Sequence, residues 1–170
     1  TAIQNAVVVD HVTPPVAGRR YFYASLAAYE ALVPYYEEYV STGNQFNDFN
    51  EVQFPDTGKT ICLDLAAMTA HTYVSGKLVY NEDSIDAFKG RALKNYKKML
   101  NKTAYNNSIA WGETVGKHII EWAKKDSFRQ IRGKDDYLES RTPGAWRSTA
   151  PDNSAPIEPN WRKIRARLVT

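Results

Sequence analysis

Apolar residues recur three and four positions apart along several long stretches of this chain, the period of one face of an α-helix. The pattern predicts an all-α fold, with about four main helices packed as a bundle-like array and an extended, Pro-rich C-terminal strap behind them. The stretch from His11 to Val33 organises the rest. Thr13 is placed as an N-cap whose hydroxyl accepts a bond from an orphan amide of the first turn. Pro14 and Pro15 stand where a missing N–H costs nothing, and Pro34 ends the hydrogen-bond ladder. Ala17, Ala24, Ala28 and Ala31 form a small stripe that lets a neighbouring backbone approach. Phe22, Leu26, Tyr29 and Val33 form a large one that fills a core. Before this helix, the β-branched run from Ala6 to Val9 reads as an extended lead-in.

Tyr35 to Val40 adds a helical turn or two. The segment STGNQFNDFN that follows is rich in turn formers and reads as a loop, anchored on the core by Phe46 and Phe49. A second helix is predicted from Asp56 to Val79, opened by Pro55-Asp56-Thr57, with Ile61, Leu65, Met68, Thr72 and Val79 on its buried face. A third runs from Ser84 to Asn101, with Ile85, Phe88, Ala92, Tyr96, Met99 and Leu100 inward. Lys89, Arg91, Lys94, Lys97, Lys98 and Lys102 make its solvated face. A fourth covers Tyr105 to Lys125, where Ile109, Trp111, Val115, Ile119, Ile120 and Trp122 form an apolar band. Gly112 and Gly116 share one face of it. Each glycine costs a helix about 1 kcal/mol against alanine, so close approach by another helix is the expected compensation, with the Ala28 and Ala31 stripe as its partner.

Past Asp126 the character changes, which divides the chain into a helical bundle, 1–126, and an extended strap, 127–170. Pro143, Pro151, Pro156 and Pro159 fall in the strap, and Phe128, Tyr137, Trp146 and Trp161 are its expected anchors on the helices. The end, with Arg162, Lys163, Arg165 and Arg167, reads as the start of another short helix.

Composition supports a folded chain with a core of its own: 170 residues, 43% hydrophobic, with eleven tyrosines and four tryptophans. The net charge of +3 arises from basic residues interleaved with nineteen acids, which argues against a nucleic-acid binder. No apolar run reaches the length of about 18 residues that a transmembrane helix needs. The first residues lack the basic region of a signal peptide, and a chain starting at Thr1 is compatible with a trimmed product. The single cysteine, Cys62, excludes an internal disulfide and a cysteine-based metal cluster.

Candidate chemistry is sparse. His11, His71 and His118 make no i, i+4 pair and no HExxH motif, so each reads as a structural or surface histidine. Asp64 and His71 share a helical face but do not by themselves make a site. Cys62 reads as a buried, inert thiol. Glu30 at the end of an alanine-rich helix face and Arg19 and Arg20 at its start read as ordinary helix-end placements or an inter-helix salt bridge, the alternative being buried charges with partners. Gly58-Lys59-Thr60 imitates the end of a P-loop, but the glycine required five positions earlier is Gln53, which excludes nucleotide binding of that type. Asn101-Lys102-Thr103 and Asn106-Asn107-Ser108 have only the form of glycosylation sequons. No position is assigned a catalytic, cofactor-binding or metal-ligating role.

The order H-V-T-P-P-V-A-G-R-x-Y-x-Y-A-S-L-A-A-Y-E-A, His11 to Ala31, resembles the N-terminal helical region of vanadium-dependent haloperoxidase-related proteins, in the PAP2 (phosphatidic acid phosphatase type 2) superfamily. Ala110 to Asp126 is similar to the family's helix G-x-x-V-G-x-x-I-x-x-W-A-x-x-D. Gly144 to Pro151, followed by Pro159-Asn160-Trp161, is similar to its strap G-x-W-x-x-T-x-P…P-x-W. In that superfamily the vanadate or phosphate pocket carries K-x₆-R-P, P-S-G-H and S-R-x₅-H, whose cations neutralise an oxyanion and whose histidine attacks phosphorus or ligates vanadium. None of the three is present; Ser140-Arg141 starts like the last, but no histidine follows.

The resemblance therefore implies a supporting, N-terminal portion of such an enzyme, with residues 127–170 leading toward a core that holds the vanadate or phosphate. Its implied partner is that C-terminal core, or another copy of the chain, and a periplasmic or secreted location is suggested by the resemblance only. Two other readings stand beside it. One is a stand-alone, non-catalytic helical binding or scaffold module. The other is an enzyme built on His71, Asp64 and their neighbours, which requires a concave pocket with perturbed ionisable groups.

Overall fold

The computed structural model describes residues 1–43, 45–53, 58–132 and 137–166. Its described residues form six α-helices, α1 (Ala2–Val9), α2 (Pro14–Leu32), α3 (Leu63–Leu78), α4 (Asp83–Met99), α5 (Lys102–Ala123) and α6 (Phe128–Ile131), and no β-strand. Single 3₁₀ turns at Val33–Tyr35 and Trp161–Lys163 replace the helical turns expected after Val33 and near the C-terminus. The chain is all-α, as the periodicity predicts. No described helix is long and apolar enough to cross a membrane.

The expected extended lead-in is instead helix α1. Ile3 and Ala6, three residues apart, are both buried, a helical period masked by the β-branched residues around them. Helix α2 begins at the proline pair, with Thr13 extended at its N-cap. The Thr13 hydroxyl does not cap the helix; it donates across the molecule to Glu158 Oε1 at 2.9 Å. The deepest residues of α2 include Tyr23, Ala24, Ala27 and Ala31, so the buried stripe is rotated slightly from the one predicted.

Helix α3 starts seven residues later than Asp56. Cys62 is its extended N-cap, and the Cys62 amide donates to Ser108 Oγ at 2.8 Å instead of into a preceding turn. The predicted opening at Pro55-Asp56-Thr57 lies outside the described residues. Helix α5 begins earlier than predicted, because Asn101 Oδ1 accepts from the Ala104 amide at 2.8 Å and caps it.

The glycine pair of α5 does face another helix, but that helix is α3 and not the alanine stripe of α2. A Cβ at Gly112 would meet the Ala66 carbonyl oxygen, Thr69 Cβ at 2.7 Å and Ala70 N at 3.0 Å. A Cβ at Gly116 would meet the Tyr73 ring at 2.7 Å. Helix α2 reaches α5 by larger groups: Trp111 Nε1 donates to the Ala31 carbonyl at 2.9 Å, and Tyr23 sits edge-on to Trp122 at 5.3 Å. Phe49 closes the same end, 4.7 Å from Trp122, with Phe46 5.9 Å away, as expected of loop anchors.

Helix α4 is the exception to the core. Of its predicted inward face only Ile85 is buried, while Phe88 is 40% and Met99 76% exposed. Periodicity names a face that could be covered; α4 lies against α1 and α3 and touches α5 only slightly, which leaves most of that face uncovered.

The strap is held at its two ends. Phe128 and Trp161 meet edge-on at 6.3 Å, and Glu158 Oε1 accepts from both Thr13 and Arg132. Arg165 stacks 4.4 Å over Trp122 and donates to its carbonyl at 3.1 Å. Between these ends Tyr137 and Trp146 anchor each other rather than the helices. Their rings are 5.7 Å apart, the Tyr137 hydroxyl donates to the Trp146 carbonyl, and Trp146 stays 46% exposed.

Candidate functional site

Two consecutive arginines of α2 are among the most buried charges in the molecule, Arg19 at 6% exposure and Arg20 at 2%. A buried guanidinium is tolerated only when paired and hydrogen-bonded. Arg19 Nε donates to Asp126 Oδ2 at 2.7 Å and its Nη2 to the Ala123 carbonyl at 3.2 Å. The Tyr23 hydroxyl donates to the same carboxylate oxygen at 2.9 Å, while Asp126 Oδ1 takes the Phe128 amide at 3.0 Å. Burial, and then the Asp126 charge, push the Tyr23 phenol up to about 12.

Arg20 turns the other way. Its Nη1 meets Asp10 Oδ2 at 2.5 Å, and Asp10 also accepts the amides of Tyr80 and Asn81 at 2.7 and 2.9 Å. Burial raises the Asp10 carboxyl, but the two amides and Arg20 more than offset this and hold it below the usual carboxylate range. Asp10 thus ties the α1–α2 turn to the α3–α4 turn. Both arginines also lie over aromatic rings, Arg19 4.3 Å from Phe128 and Arg20 4.9 Å from Tyr80.

Both arginines and Asp126 line a cleft of about 420 Å³. Its apolar wall includes Tyr73, Leu78, Val79, Ile120 and Phe128, and its rim carries Lys77, Lys117, Lys124 and Arg129. Lys117 and Lys124 have acidic neighbours on their own helix, Glu113 at 3.7 Å and Glu121 at 2.5 Å. Among the described residues, Lys77 and Arg129 have no ion-pair partner.

The residues singled out in the sequence do not converge. His11 occupies a left-handed turn position, φ 48°, between α1 and α2. His118 bonds the Asn50 carbonyl at 2.8 Å and stands edge-on to Phe49, a structural role. His71 is half-buried, 3.4 Å from Ser75 Oγ, and burial lowers its pKa. It lines a second, mostly apolar cavity of about 400 Å³ with Ala28, Met68, Ile85 and Phe88. Asp64 is exposed and does not line that cavity. Cys62 is half-buried at a helix start, not sealed in the core.

Glu30, like the two arginines, is buried with partners, accepting from Ser41 Oγ, Thr42 N and Thr42 Oγ1 at 2.8, 2.8 and 2.6 Å. The acids Asp10 and Asp126 were not singled out from the sequence, although Asp126 closes the W-A-x-x-D pattern. No group of three or more histidine, cysteine or acidic side chains among the described residues is arranged to hold a metal ion. Vanadate coordination, which calls for a histidine beside the cations, does not fit the cationic cleft, since no histidine lines it.

No protein-family profile matches the chain, and no curated protein matches it. Among solved structures it is similar to a bacterial vanadium-dependent iodoperoxidase, with 32% sequence identity and a TM-score of 0.88. The likeness covers 99% of this chain and 40% of that one, so the chain spans less than half the length of the protein it matches. The chain has a vanadium haloperoxidase-related fold.

Proposed function

We propose that this chain is the N-terminal helical, supporting portion of a PAP2- or vanadium haloperoxidase-like enzyme, whose chemistry belongs to residues outside these 170. The carrying observation is the asymmetry of the match: nearly all of this chain, at 32% identity, against 40% of the iodoperoxidase. The absence from the sequence of K-x₆-R-P, P-S-G-H and S-R-x₅-H accords with it. So do the apolar side chains left in water on α4 and the strap, Phe88, Met99, Leu138 and Ile157, which a docked core would cover. In the full protein the core would hold vanadate or phosphate and carry out halide oxidation or phosphoester hydrolysis.

The test is to read the coding frame past Thr170 and measure the intact mass of the natural product. The three motifs in frame, a correspondingly larger mass and vanadate-dependent halide oxidation or phosphatase activity in the full product support the proposal. A stop codon after Thr170, with no partner half encoded nearby, overturns it in favour of a stand-alone helical binding module.

A further inference from the structure

We infer that the cleft between α2, α3, α5 and α6 is a binding site for a small organic anion, a carboxylate or phosphate group carried on an apolar body. The inference goes beyond the supporting role above and does not depend on it.

Charge is the first observation. The lining holds six cations, Arg19, Arg20, Lys77, Lys117, Lys124 and Arg129, against two acids, Glu121 and Asp126. Counting Asp10 and Glu113, which pair with Arg20 and Lys117 from outside the lining, still leaves Lys77 and Arg129 uncompensated among the described residues.

The second observation concerns the buried arginines. A guanidinium has five N–H donors. Arg19 uses only Nε and one Nη2 hydrogen, and Arg20 only one Nη1 hydrogen, on the hydrogen bonds they make. The nitrogens without a partner, Arg19 Nη1 and Arg20 Nε and Nη2, are not sealed from solvent, and both residues line the cleft. Ion pairs and aromatic stacking already hold both groups in place, which lowers the ordering cost of binding.

Shape is the third. The Tyr73, Leu78, Val79, Ile120 and Phe128 wall offers apolar surface beside the cations, and the volume of about 420 Å³ suits a ring or short alkyl chain with its acid group. The lysine run on α4 has charge alone; no arginine is buried there.

The experiment is a titration of the ¹⁵N-labelled chain with phenyl phosphate and with benzoate, followed by amide shifts. Inorganic phosphate and benzylamine serve as comparison probes. The expected result is saturable shifts confined to amides around Tyr73, Leu78 and Phe128. Binding should weaken about tenfold in Lys77→Ala/Arg129→Ala and stay unchanged in Lys94→Ala/Lys97→Ala. Both pairs are surface residues, and circular dichroism checks that each variant folds. Raising salt from about 20 to about 200 mM should weaken binding, as screening requires.

Shifts without saturation, an equal response to benzylamine, or equal loss in the two double variants overturns the site. Inorganic phosphate binding as tightly as phenyl phosphate overturns the role of the apolar wall, and with it the assignment to an organic anion.

Discussion

Replacing Gly112 by alanine probes the close approach of α5 to α3. On an open helix the substitution stabilises, by about 1 kcal/mol from helix propensity. Here the new Cβ meets the backbone of α3: the Ala66 carbonyl, Ala70 N at 3.0 Å and, between them, Thr69 Cβ at 2.7 Å. Neither backbone atom can rotate away. Restoring ordinary contact to Thr69 requires α3 and α5 to part by roughly 0.7 Å, and a gap of 0.5–1 Å forfeits a quarter to a half of the dispersion energy of each contact across it. Overpacking of this kind costs about 1–3 kcal/mol, and the contact falls at its upper end because Ala66, Ala70, Val115 and Ile119 of these two helices belong to one buried core cluster. Net destabilisation after the propensity gain should be about 2 kcal/mol. Gly90 on α4 supplies the control, since a Cβ there meets nothing within 4 Å. Gly90→Ala should stabilise by about 0.5–1 kcal/mol. Urea unfolding with an unchanged m-value reads both as shifts of midpoint in opposite directions. A Gly112→Ala midpoint at or above that of the parent chain would refute the close-packed α3–α5 interface.

Gly116→Ala should destabilise less than Gly112→Ala, because its Cβ meets the half-buried Tyr73 ring rather than backbone; the same urea series ranks the two. Asp126→Asn should cost about 3–5 kcal/mol, as it strips the partner from buried Arg19, and Tyr23 should ionise at lower pH. Thermal unfolding and NMR of ¹³C-labelled tyrosine check the two halves. The lowered pKa of His71 means the native state resists protonation, so its contribution is complete above the unfolded value of about 6.5 and is lost as pH falls through the lower folded value. His71→Gln should flatten the stability profile in that window, as urea midpoints at stepped pH would show. For Asp10, also lowered, the stabilisation is present above about pH 3.9 and lost below it as the carboxyl protonates; Asp10→Asn should weaken the neutral-pH fold and remove that part of the acid limb in acid titrations followed by circular dichroism.

Much of the fold was legible because burial writes itself into local spacing. In G-x-x-V-G-x-x-I-x-x-W-A-x-x-D every named position, Gly112, Val115, Gly116, Ile119, Trp122, Ala123 and Asp126, is buried. These residues follow one helical face and the turn just beyond it, so a sequence resemblance there is a resemblance in packing. The same logic failed where neighbours decide. Periodicity assigned Phe88 and Met99 an inward face, but the elements packed on α4 bury only Ile85 of that face. It placed Gly112 and Gly116 in a close contact correctly, yet gave no information on which helix would fill it. Where the chain made a local contact, as in α1, β-branched residues hid a helical period that only the burial of Ile3 and Ala6 exposes.

The charged cluster was the least legible part, for a reason of distance in sequence. Arg19 finds Asp126 across 107 residues, and Asp10 receives the amides of Tyr80 and Asn81 across 70 and 71. No local pattern foretells such pairs, so Arg19 and Arg20 were visible only as charges at the start of an alanine-rich helix face, open to ordinary helix-end placement or to burial with partners. Burial decides between the alternatives, because an exposed pair contributes little whereas a buried arginine stripped of its acid is costly. The fold must therefore keep Asp10 and Asp126 in place, and doing so fixes three junctions at once: α1 to α2, α3 to α4, and α5 to α6. Once those junctions are fixed, the arginines need few further donors for stability. Both arginines line the cleft where Lys77 and Arg129 also lack acidic partners among the described residues. Structural pairing and a surplus of positive charge thus arise from the same side chains. That is why removing Lys77 and Arg129 should change anion binding without unfolding the chain, whereas removing Asp126 should destabilise the fold itself.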